Sequence, residues 1–166
     1  MEDVRFKELL SKQYILDETI RVKHGYVKQE LISKKIISLE VELSEFANEI
    51  RFFKFWSLKD ADYKNALTEY VDALHFYLSI AIDFDIDFNM SNESDIGKDS
   101  DLLGTYIRCK KWSLDIYTNP EPSIVWHLAF CWFWSLGQKV GFTEDEIYKE
   151  YMEKNSENHR RQEQGY

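Results

Sequence analysis

Glu42 and Glu45 stand three residues apart, and so do Glu69 and Asp72. On a helix, residues three or four apart share a face. The first pair lies in IISLEVELSEFANEIRFFKF, where Ile36, Leu39, Leu43, Phe46, Ala47, Ile50 and Phe53 recur at helical spacing. Glu42, Glu45 and Glu49 then form a stripe beside that apolar face. The second pair lies in ALTEYVDALHFYLSIAIDF, which is apolar on nearly every side and reads as a buried helix. A lone buried carboxylate is costly, so such groups are paired, protonated or metal-bound. Two acid pairs on adjacent helices bring four carboxylates together, a hard-oxygen set suited to Mg²⁺ or Mn²⁺.

Each of these signals has an ordinary reading. Most ExxE pairs are solvated acids on amphipathic helices, but that reading is weak for Glu69 and Asp72, whose helix lacks a polar face. His75, three residues after Asp72, suggests half of a di-iron carboxylate bundle, which needs an ExxH on each of two helices. The chain offers no second one beside the acids. Asp85-x-Asp87-x-Asn89 opens like a calcium loop, yet Met90 stands where the turn glycine belongs and Ile96 where the closing glutamate belongs. A polar connector is the better reading. Gln13 and Asp17, one turn apart, read as exposed polar residues. Trp56 reads as a core or interface residue, and the polar tail as a frayed terminus.

The elements that carry these residues are helices. Two prolines and six glycines punctuate the chain, and few runs alternate strictly. The pattern predicts an all-α bundle of about six helices. The first spans about 3–23, with Phe6, Leu9, Leu10, Leu16 and Ile20 inward, and Gly25 interrupts it. The acid-bearing helices follow at about 28–54 and 61–84. A further helix over 100–117 places Leu103, Tyr106, Ile107 and Trp112 on or near one face. Asn119-Pro120-Glu121-Pro122 ends it, and Ser123 is predicted to cap an aromatic helix to about 138. Thr143 with Glu146 is a capping box opening a last helix to about 155.

Composition narrows the class. A chain of 166 residues fits one domain, 1–166, and 44% hydrophobic with 16% aromatic content supplies a large core, with aromatic surface to spare for a subunit interface. A net charge of −9 offers no basic patch for nucleic acid. It is compatible with a nucleotide substrate, because bound divalent cations invert the local field. Cys109 and Cys131 form no zinc spacing and read as buried thiols of a reducing cytoplasm. The N-terminus lacks the apolar region of a signal peptide, and SIVWHLAFCWFWSLG is too short to span a bilayer.

The acid pairs in these contexts, ANEIRFFKFWS and EYVDALHFYLS, resemble the all-α nucleoside triphosphate pyrophosphohydrolases, and among them the dimeric dUTPases of phages and Gram-positive bacteria. The C-terminal YMEKNSENHRRQEQGY resembles that family's closing motif, KNxxNxxRQxxGY. Residues 85–122 have no counterpart in the resemblance and read as a variable insert. The resemblance implies Mg²⁺-dependent hydrolysis of dUTP to dUMP and pyrophosphate by a cytoplasmic homodimer, in the host cytoplasm if phage-encoded. It implies metal ligation by Glu42, Glu45, Glu69 and Asp72, with Asn158 near a metal, and Glu45 or Glu49 acting on the attacking water. For Glu49, ligand, base or partner of Arg51 all stay open. It also implies a base and sugar pocket from Gln13, Asp17, Trp56, His75 and Phe76. Asp17 departs from the family's usual Asn and can only accept hydrogen bonds. Lys154 and Arg161 fall at phosphate-gripping positions of a mobile segment, 154–166. Two other readings remain: a relative acting on dCTP or non-standard triphosphates, and a phage protein that binds a repressor, with 85–122 as its interface.

Overall fold

Helix α3 (Tyr63–Asp83) is the centre of the molecule, and α1 (Asp3–His24), α2 (Lys28–Ile50), α5 (Pro122–Val140) and α6 (Glu144–Glu163) all pack against it. Helix α4 (Leu102–Thr118) completes the bundle, lying on α5 and α2. This computed structural model describes residues 3–87 and 96–165, and among them there are six helices and no strand. Asn89 and Met90 of the calcium-loop comparison, and the final Tyr166 of the closing motif, lie outside the described residues.

Helix α3 takes the central place because it is apolar almost all round. Tyr70, Leu74, Tyr77 and Leu78 are fully or almost fully buried. Tyr70 stacks on Phe133 of α5, with ring centroids 4.1 Å apart, and α5 comes so close that a Cβ on Gly137 would lie 2.6 Å from the Tyr70 ring. Buried Tyr and Trp need partners for their polar ends. The Tyr77 hydroxyl finds Ser113 at 2.6 Å, and Trp126 Nε1 donates to the Tyr77 carbonyl at 3.0 Å.

The helix ends are chemically marked. Asp62 and Asp101 accept from the backbone N–H of Asn65 and Gly104, and the Thr143–Glu146 capping box forms as predicted. Four boundaries or faces differ from the sequence expectation. Helix α2 stops at Ile50 rather than near 54, because Arg51 turns left-handed at φ 66° and its N–H bonds back to Ala47. Phe53 therefore leaves the core stripe. Helix α5 begins with Pro122 in its first turn, so Ser123 is not the cap. Helix α6 does not end near 155 but runs to Glu163, carrying the closing motif as helix. In α4 the buried residues are Thr105, Cys109, Ser113 and Ile116, while Leu103 and Ile107 face outward. Tyr106 and Trp112 do pack against the core, partly buried, and the two hydroxyls on that face are tolerated because they are satisfied locally, Ser113 donating to the Cys109 carbonyl at 2.8 Å.

Candidate functional site

Four helices, α1, α2, α3 and α6, converge on a cavity of about 500 Å³. Each contributes one face. Helix α1 brings Gln13, Leu16 and Asp17; α2 brings Lys35, Ser38 and Glu42; α3 brings Asp72, His75, Phe76 and Ser79; α6 brings Lys154, Asn158, Arg161 and Gln162. On α3 the spacing 72, 75, 76, 79 is one helical stripe, and on α6 so is 154, 158, 161.

One end of the cavity is acidic. Carboxylate oxygens of Glu42, Glu69 and Asp72 lie within 4.8 Å of one another, all three residues half-buried. Burial, then repulsion from Asp72, Glu45 and Glu69, pushes Glu42 up to about 7. Glu69 and Asp72 are also raised, burial being the main cause in both. The Lys154 ammonium sits 2.5 Å from Asp72 and only partly offsets that burial. Three acids held this close with raised proton affinity form a set that a hard divalent cation fits. Glu45 is exposed and lies outside the triplet, though its charge reaches Glu42 and Glu69; Glu49 is half-buried and its charge reaches Glu69. Arg51 does not pair with Glu49 but donates to the Lys59 carbonyl and Ser57.

A pH dependence follows. Glu42 takes its proton near 7 in the fold, against the ordinary 4.5, so the folded chain holds the extra proton between those values. Metal-free stability is therefore lost as pH rises from about 4.5 through about 7, and the full penalty stands above that. Melting in a chelator at pH 5 and pH 8 should show a steeper fall for the native chain than for Glu42→Gln. Equal falls would contradict the electrostatic account.

The other end of the cavity is a hydrogen-bonded chain. His75 Nδ1 lies 2.7 Å from Gln13 Oε1, which also accepts from Tyr151 at 2.8 Å. Gln13 Nε2 donates to Asp17 at 2.7 Å. The second Asp17 oxygen takes Ser79 at 2.5 Å and Lys35 at 3.2 Å, and Lys35 reaches on to Asp83 at 2.6 Å. His75 stacks on Tyr151 at 4.1 Å, and burial, reinforced by Lys154, lowers it to about 3, so the ring is neutral. Gln13 is 3% exposed and bonded internally, not the exposed polar residue of the ordinary reading.

Trp56 is placed elsewhere. It lies beyond α2, 64% exposed, edge-on to Phe53 and Phe55, and does not line the cavity. Residues that sequence reasoning missed are Tyr151, Ser79 and Lys35. The first two had a signal in the helical stripes, Tyr151 three residues before Lys154 and Ser79 four after His75. Lys35 shares the α2 stripe of Glu42, two turns away, but its hydrogen-bond partners, 18 and 48 residues off, left no signal.

No helix among the described residues is long and apolar enough to cross a membrane. Comparison with curated proteins returns no match. A family model described as dUTPase matches residues 5–166, which takes in both acid pairs, the cavity residues and the closing motif. With its all-α bundle and that match over nearly its whole length, the chain belongs to the dUTPase family.

Proposed function

We propose that this chain hydrolyses dUTP to dUMP and pyrophosphate with Mg²⁺, or Mn²⁺ in its place. The observation that carries the reading is the Glu42, Glu69 and Asp72 cluster at one end of a cavity whose rim also holds Lys154 and Arg161. Glu42, Glu69 and Asp72 would hold the cation, with Glu45 and Asn158 as further oxygen donors beside them. When bound, a divalent cation lowers the pKa of a coordinated water and neutralises phosphate charge. The chain's own groups do the rest. Lys154 and Arg161 meet the triphosphate, Arg161 as a planar fork that suits phosphate oxygens. Glu45 or Glu49 orients or deprotonates the attacking water. Phe76 offers an apolar wall to the sugar, and the His75 end takes the base. Purified protein with dUTP and Mg²⁺, followed by phosphorus NMR, should give pyrophosphate and dUMP in equal amounts. Release of orthophosphate, or no turnover, would overturn the reading.

The same reading includes a homodimer. Phe55 is 94% exposed beside exposed Trp56 and Leu58, and Ile107, Leu114 and Tyr117 of α4 are also exposed. Contiguous exposed aromatics of this kind mark interfaces. Sedimentation at micromolar concentration should give twice the chain mass, and Phe55→Asp should halve it. A monomeric native chain would remove the dimer from the proposal.

A further inference from the structure

The hydrogen-bonded chain at the base end of the cavity has a fixed polarity. The Asp17 carboxylate can only accept, and Gln13 is its neighbour at 2.7 Å. Gln13 must therefore turn its NH₂ toward Asp17 and its carbonyl oxygen toward His75 and Tyr151. That oxygen also can only accept. His75 Nδ1, at 2.7 Å, must then carry the proton, and the Tyr151 hydroxyl donates alongside it. Only one nitrogen of a neutral imidazole is protonated, and burial keeps this ring neutral. The remaining nitrogen, Nε2, is a bare acceptor. It is buried without a partner, in a residue that lines the cavity and is 5% exposed. A buried acceptor left unpaired is costly until a donor reaches it.

We propose that Asp17 and Gln13 are positioning residues that hold His75 in its Nδ1–H form, so that Nε2 accepts the N–H of a uracil-type imide. The choice of imide rests on the dUTPase reading above; the tautomer does not. Gln13 thus acts through His75 rather than by reading the base edge itself. Asp17 is what sets its direction: an amide there would turn its oxygen to the Lys35 ammonium, which only donates, and its NH₂ to Gln13, and the chain would run the other way. The acceptor matches uracil, whose N3 carries hydrogen, and opposes cytosine, whose N3 presents a lone pair.

The test uses the full chain labelled with ¹⁵N-histidine, metal-free at neutral pH, in long-range proton–nitrogen NMR. His75 is assigned by its loss in His75→Gln. The expected spectrum has Nδ1 protonated and Nε2 bare. Adding dUMP should shift Nε2, while dCMP at equal concentration leaves it unmoved and binds about tenfold more weakly or worse. In Asp17→Asn the ring should move toward the Nε2–H form, and the preference for dUMP should shrink by about tenfold or more. A protonated Nε2, or a charged ring, in a protein that still hydrolyses dUTP overturns this inference alone. An Nδ1–H ring that dUMP does not move, in a protein without dUTP turnover, overturns the ligand assignment together with the activity. If Asp17→Asn fails to fold, the native tautomer and its response to the two nucleotides still decide the matter.

Discussion

Asp72→Asn is expected to reduce dUTP turnover at least about a hundredfold while leaving the fold intact. Groups that merely orient metal ligands already cost 10- to 100-fold when removed, so about a hundredfold is a floor for an inner oxygen ligand. The substitution is nearly isosteric, but an amide is a poor ligand for Mg²⁺. Its effect on stability has the opposite sign. Asp72 is held above the usual carboxylate range because burial outweighs its contact with Lys154. The charged form is thus the disfavoured one in the fold, and a neutral side chain removes that penalty. The metal-free variant should melt at or above the native temperature at pH 8. Mg²⁺ should raise the melting temperature of the native chain and not that of the variant, because only the former binds it. Substantial Mg²⁺-dependent turnover in Asp72→Asn would remove this residue from the metal site. A sharp fall in melting temperature would instead show that the Lys154 ion pair dominates.

Selection among nucleotides is the second large effect. The ratio of kcat/KM for dUTP over dCTP should reach about 10⁴, the range seen when a wrong substrate leaves buried polar groups unpaired. The polar group at issue is His75 Nε2, buried without a partner on the cavity lining. Discrimination against UTP should be smaller, about a hundredfold, because an apolar wall rejects an added hydroxyl less sharply. The proposed wall is Phe76, half-buried on the cavity lining. Phe76→Ala should narrow the gap between dUTP and UTP and leave the gap to dCTP. Equal kcat/KM for dUTP and dCTP would point to a broader triphosphate hydrolase. No change in either ratio in Phe76→Ala would assign that ring to the core.

The sequence by itself determined what is local. Helical periodicity, punctuated by only two prolines and six glycines, located six helices, because apolar spacing of 3.6 residues is written in consecutive side chains. The Thr143–Glu146 box was legible for the same reason, with both partners within four residues. So were the two acid pairs. What the tertiary structure decided is which faces meet. It brings Glu42, Glu69 and Asp72 together across α2 and α3 and leaves Glu45 exposed, a difference of helix rotation that spacing alone does not contain. It buries two hydroxyls, Thr105 and Ser113, on the inward face of α4, where Tyr77 and Ser113 satisfy one another. It ends α2 at a non-glycine left-handed residue, Arg51, whose guanidinium is held by Ser57 and Lys59 in the following turn. It carries Trp56 away from the cavity and draws Gln13 into a buried chain with His75 and Tyr151. Those bonds join residues 62 and 138 positions apart. Directional hydrogen bonds at such separations exist only once packing has fixed the helices, so the chain of donors and acceptors that orients His75 belongs to the fold and not to any stretch of sequence.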